Sequence, residues 1–122
     1  MLNQMLVKKP VAWLGSTLKD LLAFPEAMRK EAGFQLHRLQ CGPEAADWKP
    51  TVEIGMGVAE VRLRDSTGAW RVIFVARYRE AVYVLHCFQK KTQRTARCDI
   101  AIAKDRFQSL LINRRREHGT DD

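Results

Sequence analysis

Apolar residues in the first third of the chain recur at intervals of three and four, which is the spacing of helices. A short apolar segment, "KKPVAWLG", comes first and predicts an edge strand, where Pro10 is tolerated because an edge can spare one amide donor. Ser16 suits the N-cap of a first short helix, and Pro25 stands at the first position of a second helix that Gly42-Pro43 ends. The expected apolar side of the first helix is Leu18, Leu21 and Leu22, and that of the second is Met28, Ala32, Leu36 and Leu39.

The pattern changes to strict alternation from Val58, which predicts strands. Before it, "PEAADWKP" is typical of a loop, and after it "DSTGA" is typical of a turn. Two segments follow, "WRVIFVARY" and "AVYVLHCF", that are apolar on both faces and therefore predict central strands covered on each side. In the strand that begins at Val58, one face is expected to carry Ala59, Val61 and Leu63, and the other face Glu60, Arg62 and Arg64.

Helical spacing returns near the C-terminus, from about Ala96. The expected apolar stripe of this last helix is Ile100, Ala103, Phe107, Leu110 and Leu111. The polar stretch "NRRREHGTDD" then predicts a solvated tail.

This order of elements predicts the α+β class. We expect a small, twisted, antiparallel sheet made of the N-terminal strand and a three-stranded meander, packed with two N-terminal helices and a C-terminal helix. A single domain spans residues 1–113 in this interpretation, and residues 114–122 form the tail.

Positive charge is concentrated in the second half of the chain. The net charge is +7; residues 1–61 hold seven basic and seven acidic side chains, whereas residues 62–122 hold fourteen and seven. Between Arg62 and Arg97 there are nine basic residues and only two acidic ones, Asp65 and Glu80. This concentration exceeds what solubility requires, and it favours a nucleic acid or an acidic protein as partner over a merely solvated surface.

The sequence contains no motif of conventional metal or cofactor chemistry. No P-loop, G-x-S-x-G, H-E-x-x-H or paired-carboxylate pattern occurs, and Cys41, Cys87 and Cys98 are odd in number with no C-x-x-C spacing. We therefore expect neither a metal nor a cofactor, and a reducing compartment. A signal-peptide apolar region and a stretch of ~20 apolar residues are both missing, which predicts a cytoplasmic protein without a membrane partner.

None of the three histidines is an obvious catalytic group. His37 and His118 have no acidic or cysteine partner at a ligand spacing. His86 alternates with Val84 and Phe88 within a strand, where a satisfied core or strand-end histidine is a better interpretation than a general base.

Arginines on neighbouring strands are the first candidate site. A hairpin that turns at "DSTGA" with Arg64 opposite Arg71 would place Arg62, Arg64 and Arg71 on one sheet face, with Arg77 as a further member. Like charges that face each other cost energy unless an anion lies between them. Arginine binds phosphate through two parallel hydrogen bonds, so the face would form a basic platform for phosphate. The alternative is that these side chains extend into water at the sheet edges.

The stretch "FQKKTQRTARCD" is the second candidate site, because it places charge directly after an apolar strand. Lys90, Lys91 and Thr92 would border the same sheet, and Arg94 follows as a further phosphate contact. Two ammonium groups and a hydroxyl can position one phosphodiester and offset the charge that develops on it. The alternative here is a solvated turn.

Taken together, these segments resemble the phage-derived Gp49-like family, which consists of HigB-like toxins of the RelE/ParE superfamily. The resemblance runs from about Lys8 to Leu111. It is carried by the stretches "STLKDLLAFPEAMRKEAGFQLHRLQ", "DWKP", "GVAEVRLRDSTGAWRVIFVARY", "AVYVLHCFQKKTQRT" and "DIAIAKDRF".

The resemblance implies the toxin of a type II toxin–antitoxin system, a ribosome-dependent ribonuclease that cleaves translated mRNA. A co-expressed antitoxin of helix-turn-helix type, the ribosome and mRNA are the implied partners. Carried over by position, Arg62 and Arg71 would contact the scissile phosphate, Lys90 and Lys91 would add positive charge, and one lysine would assist proton transfer. Thr92 would contact phosphate or ribose. The implied chemistry is metal-independent attack of the ribose 2′-hydroxyl on the adjacent phosphate.

Other functions remain open on the same scaffold. One is a non-nucleolytic poison of DNA gyrase, and another is an inactive regulator that binds antitoxin or operator DNA. The general base is also unassigned, because Tyr78, His86 and His118 are all poor fits for the residue that completes the site in some relatives.

Overall fold

A computed structural model describes residues 8–42 and 47–118 of the chain. The elements are β1 (Val11–Trp13), α1 (Thr17–Leu22), α2 (Glu26–Cys41), β2 (Trp48–Pro50), β3 (Val58–Asp65), β4 (Gly68–Val75), β5 (Val82–Lys90) and α3 (Arg97–His118). The predicted α+β class is confirmed, with helices packed on a single sheet. Residues 43–46 of the predicted "PEAADWKP" loop, and residues 119–122 of the predicted tail, lie outside the described residues.

The sheet has five strands in the order β1-β5-β4-β3-β2, which corrects two details of the prediction. β1 is an edge strand as expected, but it runs parallel to β5, with Val11 opposite Val82. The two strands are far apart in the chain and no tight hairpin constrains their direction. In addition, part of the predicted loop forms β2, which pairs with β3 through Trp48 and Val61.

The β3–β4 hairpin forms at the predicted turn. Asp65 pairs with Gly68, and its carboxylate Oδ1 accepts hydrogen bonds from the backbone N–H (2.8 Å) and the hydroxyl (2.6 Å) of Thr67. These bonds stabilise the two-residue connection between β3 and β4. The geometry of that turn determines which residues of the two strands lie opposite each other.

Helices cover both faces of the sheet. This arrangement was predicted from the two strands that are apolar on both faces. α1 and α2 pack on one face, and their cluster comprises Leu21, Phe24, Met28, Ala32, Leu36, Leu39, Ala59, Val61, Leu63, Trp70, Val72, Phe74, Val82, Val84 and Cys87. α3 packs on the other, in a cluster of Ile54, Val58, Ile73, Val75, Tyr78, Leu85, Phe88, Ala103, Phe107 and Leu110. All four apolar residues expected on the core side of α2 are buried, and this helix ends at Cys41, before Gly42.

The expected apolar side of α1 is wrong in part. Leu21 is buried, but Leu18 and Leu22 are 43% and 57% exposed. The buried residues of this helix are instead Thr17 and Leu21, four positions apart, so one narrow side of a six-residue helix faces the sheet.

α3 continues to His118, so the first five residues of the predicted solvated tail, 114–118, are helical. Residues 115–118 are exposed, whereas residue 114 is not. Arg114 is buried, its Nε donates a hydrogen bond of 2.7 Å to Glu80, and its guanidinium lies 3.7 Å from the ring centroid of Tyr78. The hydrogen bond from Arg114 lowers the pKa of Glu80 to about 2, against the opposing effect of burial. The ion pair holds the last turns of α3 against the loop that precedes β5.

Candidate functional site

Five basic residues share one sheet face with a single buried carboxylate. Glu60, Arg62 and Arg64 alternate along β3, and the cross-strand register places Lys49, Arg71 and Lys90 on the same side. This is the face that carries α3, at the end of the sheet that bears the β3–β4 turn. We call this set, Lys49, Glu60, Arg62, Arg64, Arg71 and Lys90, the basic face.

The register within the hairpin differs from the expected one. Arg71 lies opposite Arg62, and Arg64 lies opposite Ala69 rather than opposite Arg71. The difference is two residues, and a shift of two keeps every side chain on its face. The structure therefore brings Arg62, Arg64 and Arg71 together, as predicted, through a different pairing.

Arg71 lies at the centre of the basic face and is buried. One guanidinium nitrogen, Nη1, donates to the backbone carbonyl of Trp70 at 3.1 Å. Its Nε is 3.6 Å from Glu60 Oε2, which is too long for a hydrogen bond, and it has no hydrogen-bond partner among the described residues. Burial lowers the pKa of Arg71, Glu60 raises it, and the charges of Arg62 and Arg64 lower it again.

Arg62 is half-buried and leaves a second donor unused. Its Nη2 donates a hydrogen bond of 3.0 Å to Asp47 Oδ1, whereas its Nε is buried without a partner in the described part of the chain. Two opposed guanidinium groups thus retain buried N–H groups that no acceptor in the described part of the chain satisfies. Buried donors of this kind are uncommon and costly.

Lys90 extends the basic face at the end of β5. The side chain is half-buried; burial lowers the pKa of Lys90, and so, to a smaller extent, does the charge of Arg71. Lys91, Thr92 and Arg94 follow in an exposed turn, where the Thr92 hydroxyl donates to the backbone carbonyl of Arg94. Lys90 and Lys91 therefore differ: only Lys90 belongs to the buried electrostatic cluster.

Arg77 lies elsewhere, so its predicted place beside the strand arginines is wrong. It follows the end of β4, at the opposite end of that strand from Lys90, and its guanidinium lies 5.5 Å from the ring centroid of Tyr78. It lines a cavity of about 480 Å³ on the α2 side of the sheet, together with Leu39 and Phe74. β4 ends at Val75, two residues before Arg77, so the alternation of side chains along the strand does not extend to this arginine.

Two carboxylates near the basic face were not recognised as site residues. Glu60 was placed on the arginine side of β3, but its burial between Lys49 and Arg71 depends on β2 and could not be inferred from alternation. Asp99, in the first turn of α3, lies 2.7 Å from His86 Nε2. The His86 ring is buried and stacks on Phe88 with centroids 4.8 Å apart. The expectation of a satisfied histidine is met only at Nε2, because Nδ1 is buried without a hydrogen-bond partner among the described residues.

The described residues offer no group of three or more His, Cys, Asp or Glu side chains that would suit a metal ion. In the same part of the chain, no helix combines the length and the apolar character needed to cross a bilayer.

The fold and this face define a small, basic α+β protein with a cluster of cationic side chains on one face of its sheet. The chain belongs to the family of phage-derived Gp49-like proteins (DUF891), which it matches over residues 19–108. That family is part of the RelE/HigB-like toxin group and indicates a toxin of a toxin–antitoxin system, with a cognate antitoxin as partner. No curated protein matches the chain.

Proposed function

We propose that this protein is a type II toxin that acts as a ribosome-dependent mRNA endoribonuclease. The observation that carries the proposal is the opposition of Arg62 and Arg71, whose Nε groups are buried and without acceptors. A protein that only binds a partner through a solvated surface gains nothing from placing two arginines opposite each other with their Nε groups buried. A site for a phosphodiester does, because its negative charge increases in the transition state.

Within this proposal, Arg62 and Arg71 donate to the non-bridging oxygens of the scissile phosphate. Lys90 supplies a third positive charge from the neighbouring strand. Lys91, Thr92 and Arg94 are exposed beside it and contact adjacent phosphates or ribose along a single strand. Arg64, at the exposed end of the face, also contacts the RNA backbone.

The reaction is attack of the ribose 2′-hydroxyl on the adjacent phosphorus, which forms a 2′,3′-cyclic phosphate and breaks the bond to the 5′-oxygen. The departing 5′-oxygen takes up a proton from water. Positioned cations stabilise the extra negative charge, so the proposed step requires no metal ion. Glu60 is the nearest buried carboxylate and the best-placed acceptor for the 2′-hydroxyl proton. His86 is less suitable, because its Nε2 already lies 2.7 Å from Asp99 Oδ1.

The proposed partners are the ribosome, translated mRNA and an antitoxin of helix-turn-helix type, all in the cytoplasm. The ribosome would present mRNA to the basic face and hold one phosphodiester in line for attack, which is a large part of catalysis in a site without a strong acid or base.

Mapping of mRNA 5′ ends after brief induction tests the proposal. We expect cuts at codon-phased positions on translated messages, and we expect them to disappear in Arg62→Ala. The matched control is Arg115→Ala, which removes an exposed arginine near the end of α3. Intact messages with DNA damage would indicate a gyrase poison, and intact messages without DNA damage would indicate an inactive regulator; either result overturns the proposal.

A further inference from the structure

Glu60 is an unusual member of the basic face, because it is the only carboxylate that is buried among the described residues. Its side chain is 5% exposed. Its Oε2 lies 3.6 Å from Arg71 Nε and 4.0 Å from Lys49 Nζ, so it lies between cations from two different strands.

These distances describe an ion pair that is close but not hydrogen-bonded. An Arg–carboxylate pair at its optimum has N···O distances of about 2.7–2.9 Å. Arg71 Nε, at 3.6 Å, is directed at no other acceptor in the described residues. Glu60 therefore offsets the charge of Arg71 without accepting the hydrogen bond of its Nε, which has no acceptor among the described residues.

The surrounding charges explain why such a carboxylate is needed. The positive charges of Arg62 and Arg64 disfavour the protonated form of buried Arg71. Among the neighbouring charges, the carboxylate of Glu60 favours that form most strongly. Without a negative charge at this place, the free protein would bury a guanidinium among like charges, which is strongly unfavourable.

We propose that Glu60 is an internal counter-ion that keeps the phosphate site folded when it is empty and limits its affinity for phosphate. This inference rests on the proposed function, since it takes phosphodiester as the ligand of the basic face. When a phosphate binds to Arg62 and Arg71, its charge replaces the stabilising influence of Glu60, and the repulsion between the two anions weakens binding. Free single strands then bind weakly, and tight binding requires the additional contacts of a larger assembly.

The test is binding of a fluorescent single-stranded DNA octamer, which carries the phosphates but lacks the 2′-hydroxyl and cannot be cleaved by the proposed reaction. Fluorescence anisotropy at a fixed, low salt concentration gives the dissociation constant for wild type and for Glu60→Gln, a substitution that keeps the shape and removes the charge. We expect the variant to bind about tenfold more tightly, the effect of removing one like charge a few ångströms from the phosphate. Its affinity should also fall more steeply with salt.

The matched control is Glu26→Gln, which makes the same change of net charge in α2, on the other side of the sheet. We expect its affinity to remain within about twofold of wild type. Equal tightening in both variants would attribute the effect to net charge and overturn the inference. So would unchanged or weaker binding by a Glu60→Gln protein that still melts cooperatively.

A measurement on the wild-type protein covers the case in which Glu60→Gln does not fold. Nuclear magnetic resonance should show that inorganic phosphate moves the Nε–H signals of Arg62 and Arg71 together with the carboxyl carbon of Glu60. Movement of the arginine signals without that of Glu60 overturns the counter-ion role. If wild type binds neither phosphate nor DNA, the proposed function itself fails, which is a different outcome.

Discussion

Arg62 and Arg71 lie directly opposite each other on β3 and β4, yet their acidic partners differ in exposure. The partner of Arg62 is Asp47, which is 61% exposed, and the partner of Arg71 is buried Glu60. In the proposed site the two arginines bind one phosphate, but they differ in what their removal leaves behind.

Replacement of each arginine by alanine should separate catalysis from stability. We expect both variants to lose on the order of 10²–10³ in the rate of cleavage of ribosome-bound mRNA, because each removes one transition-state contact.

Arg62→Ala should change the free energy of unfolding by less than about 1 kcal/mol, since it breaks an exposed pair. Arg71→Ala should cost about 3 kcal/mol or more, since it leaves Glu60 buried without its cation. Urea denaturation checks the stabilities, and equal destabilisation by the two substitutions would contradict this account.

Lys90 and Lys91 should no longer be treated as equivalent. Lys90→Ala should reduce toxicity strongly, because its ammonium group belongs to the same electrostatic cluster as Arg71. Lys91→Ala should have a smaller effect, since that side chain is exposed. Both variants should keep the wild-type free energy of unfolding within about 0.5 kcal/mol. Growth arrest at matched expression is the measurement, and a Lys90→Ala protein that arrests growth like wild type would show that Lys90 does not contribute to the proposed cleavage site.

The antitoxin should cover part of the excess positive charge. We expect acidic and apolar groups of the antitoxin to contact the basic face or the helices, so that the complex leaves a heparin column at lower salt than the free toxin. Affinity of the free toxin for single-stranded RNA should fall with a slope of about −0.7 per phosphate contact on a logarithmic salt scale. Identical heparin elution of toxin and complex would mean that the antitoxin binds without covering this charge.

The pair of Glu80 and Arg114 should make stability depend on pH in the acid range. Because the folded-state pKa of Glu80 is about 2 and its ordinary value is 4.5, the pair contributes fully above pH 4.5 and loses its contribution as the pH falls toward 2. Since the side chain is 31% exposed, we expect about 2 kcal/mol rather than the full amount that the shift implies.

Urea denaturation at pH 6, 4 and 2.5 should therefore show a difference between wild type and Glu80→Gln that shrinks with acidification. Glu117→Gln is the control, because that side chain is 71% exposed and near the same end of α3. A difference between wild type and Glu80→Gln that stays constant across this range would show that Glu80 contributes through its shape and not through its charge.

Alternation along β3 and the two-sided apolar strands were enough to predict the class of fold and the shared face of Arg62, Arg64 and Arg71. The register was predicted wrongly and the face correctly, because a shift of two residues leaves the side-chain direction unchanged. Arg77 was misplaced for a related reason: periodicity does not show where a strand ends.

The contacts that complete the site come from residues distant in the chain. Glu60 is buried because the three-residue strand β2 brings Lys49 beside it, and no local pattern predicts so short a strand. Asp99 meets His86 because of where α3 packs on the sheet. Arg114 was predicted to lie in a tail because a run of charged residues shows no apolar periodicity. It is nevertheless buried, since Glu80 pairs with its charge and the ring of Tyr78 packs against its guanidinium.

The parallel pairing of β1 with β5 has a consequence for how the chain folds during its synthesis. Val11 is one of the first described residues to be translated, and its partner Val82 follows some seventy residues later. The sheet therefore cannot close until β5 has left the ribosome, and closure over so long a separation is slow compared with formation of α1 and α2. During that interval the β3–β4 hairpin and its arginines are already synthesised, but Lys90, which ends β5, cannot yet lie beside them. The basic face is therefore completed only late in synthesis, at a point set by the topology of the sheet.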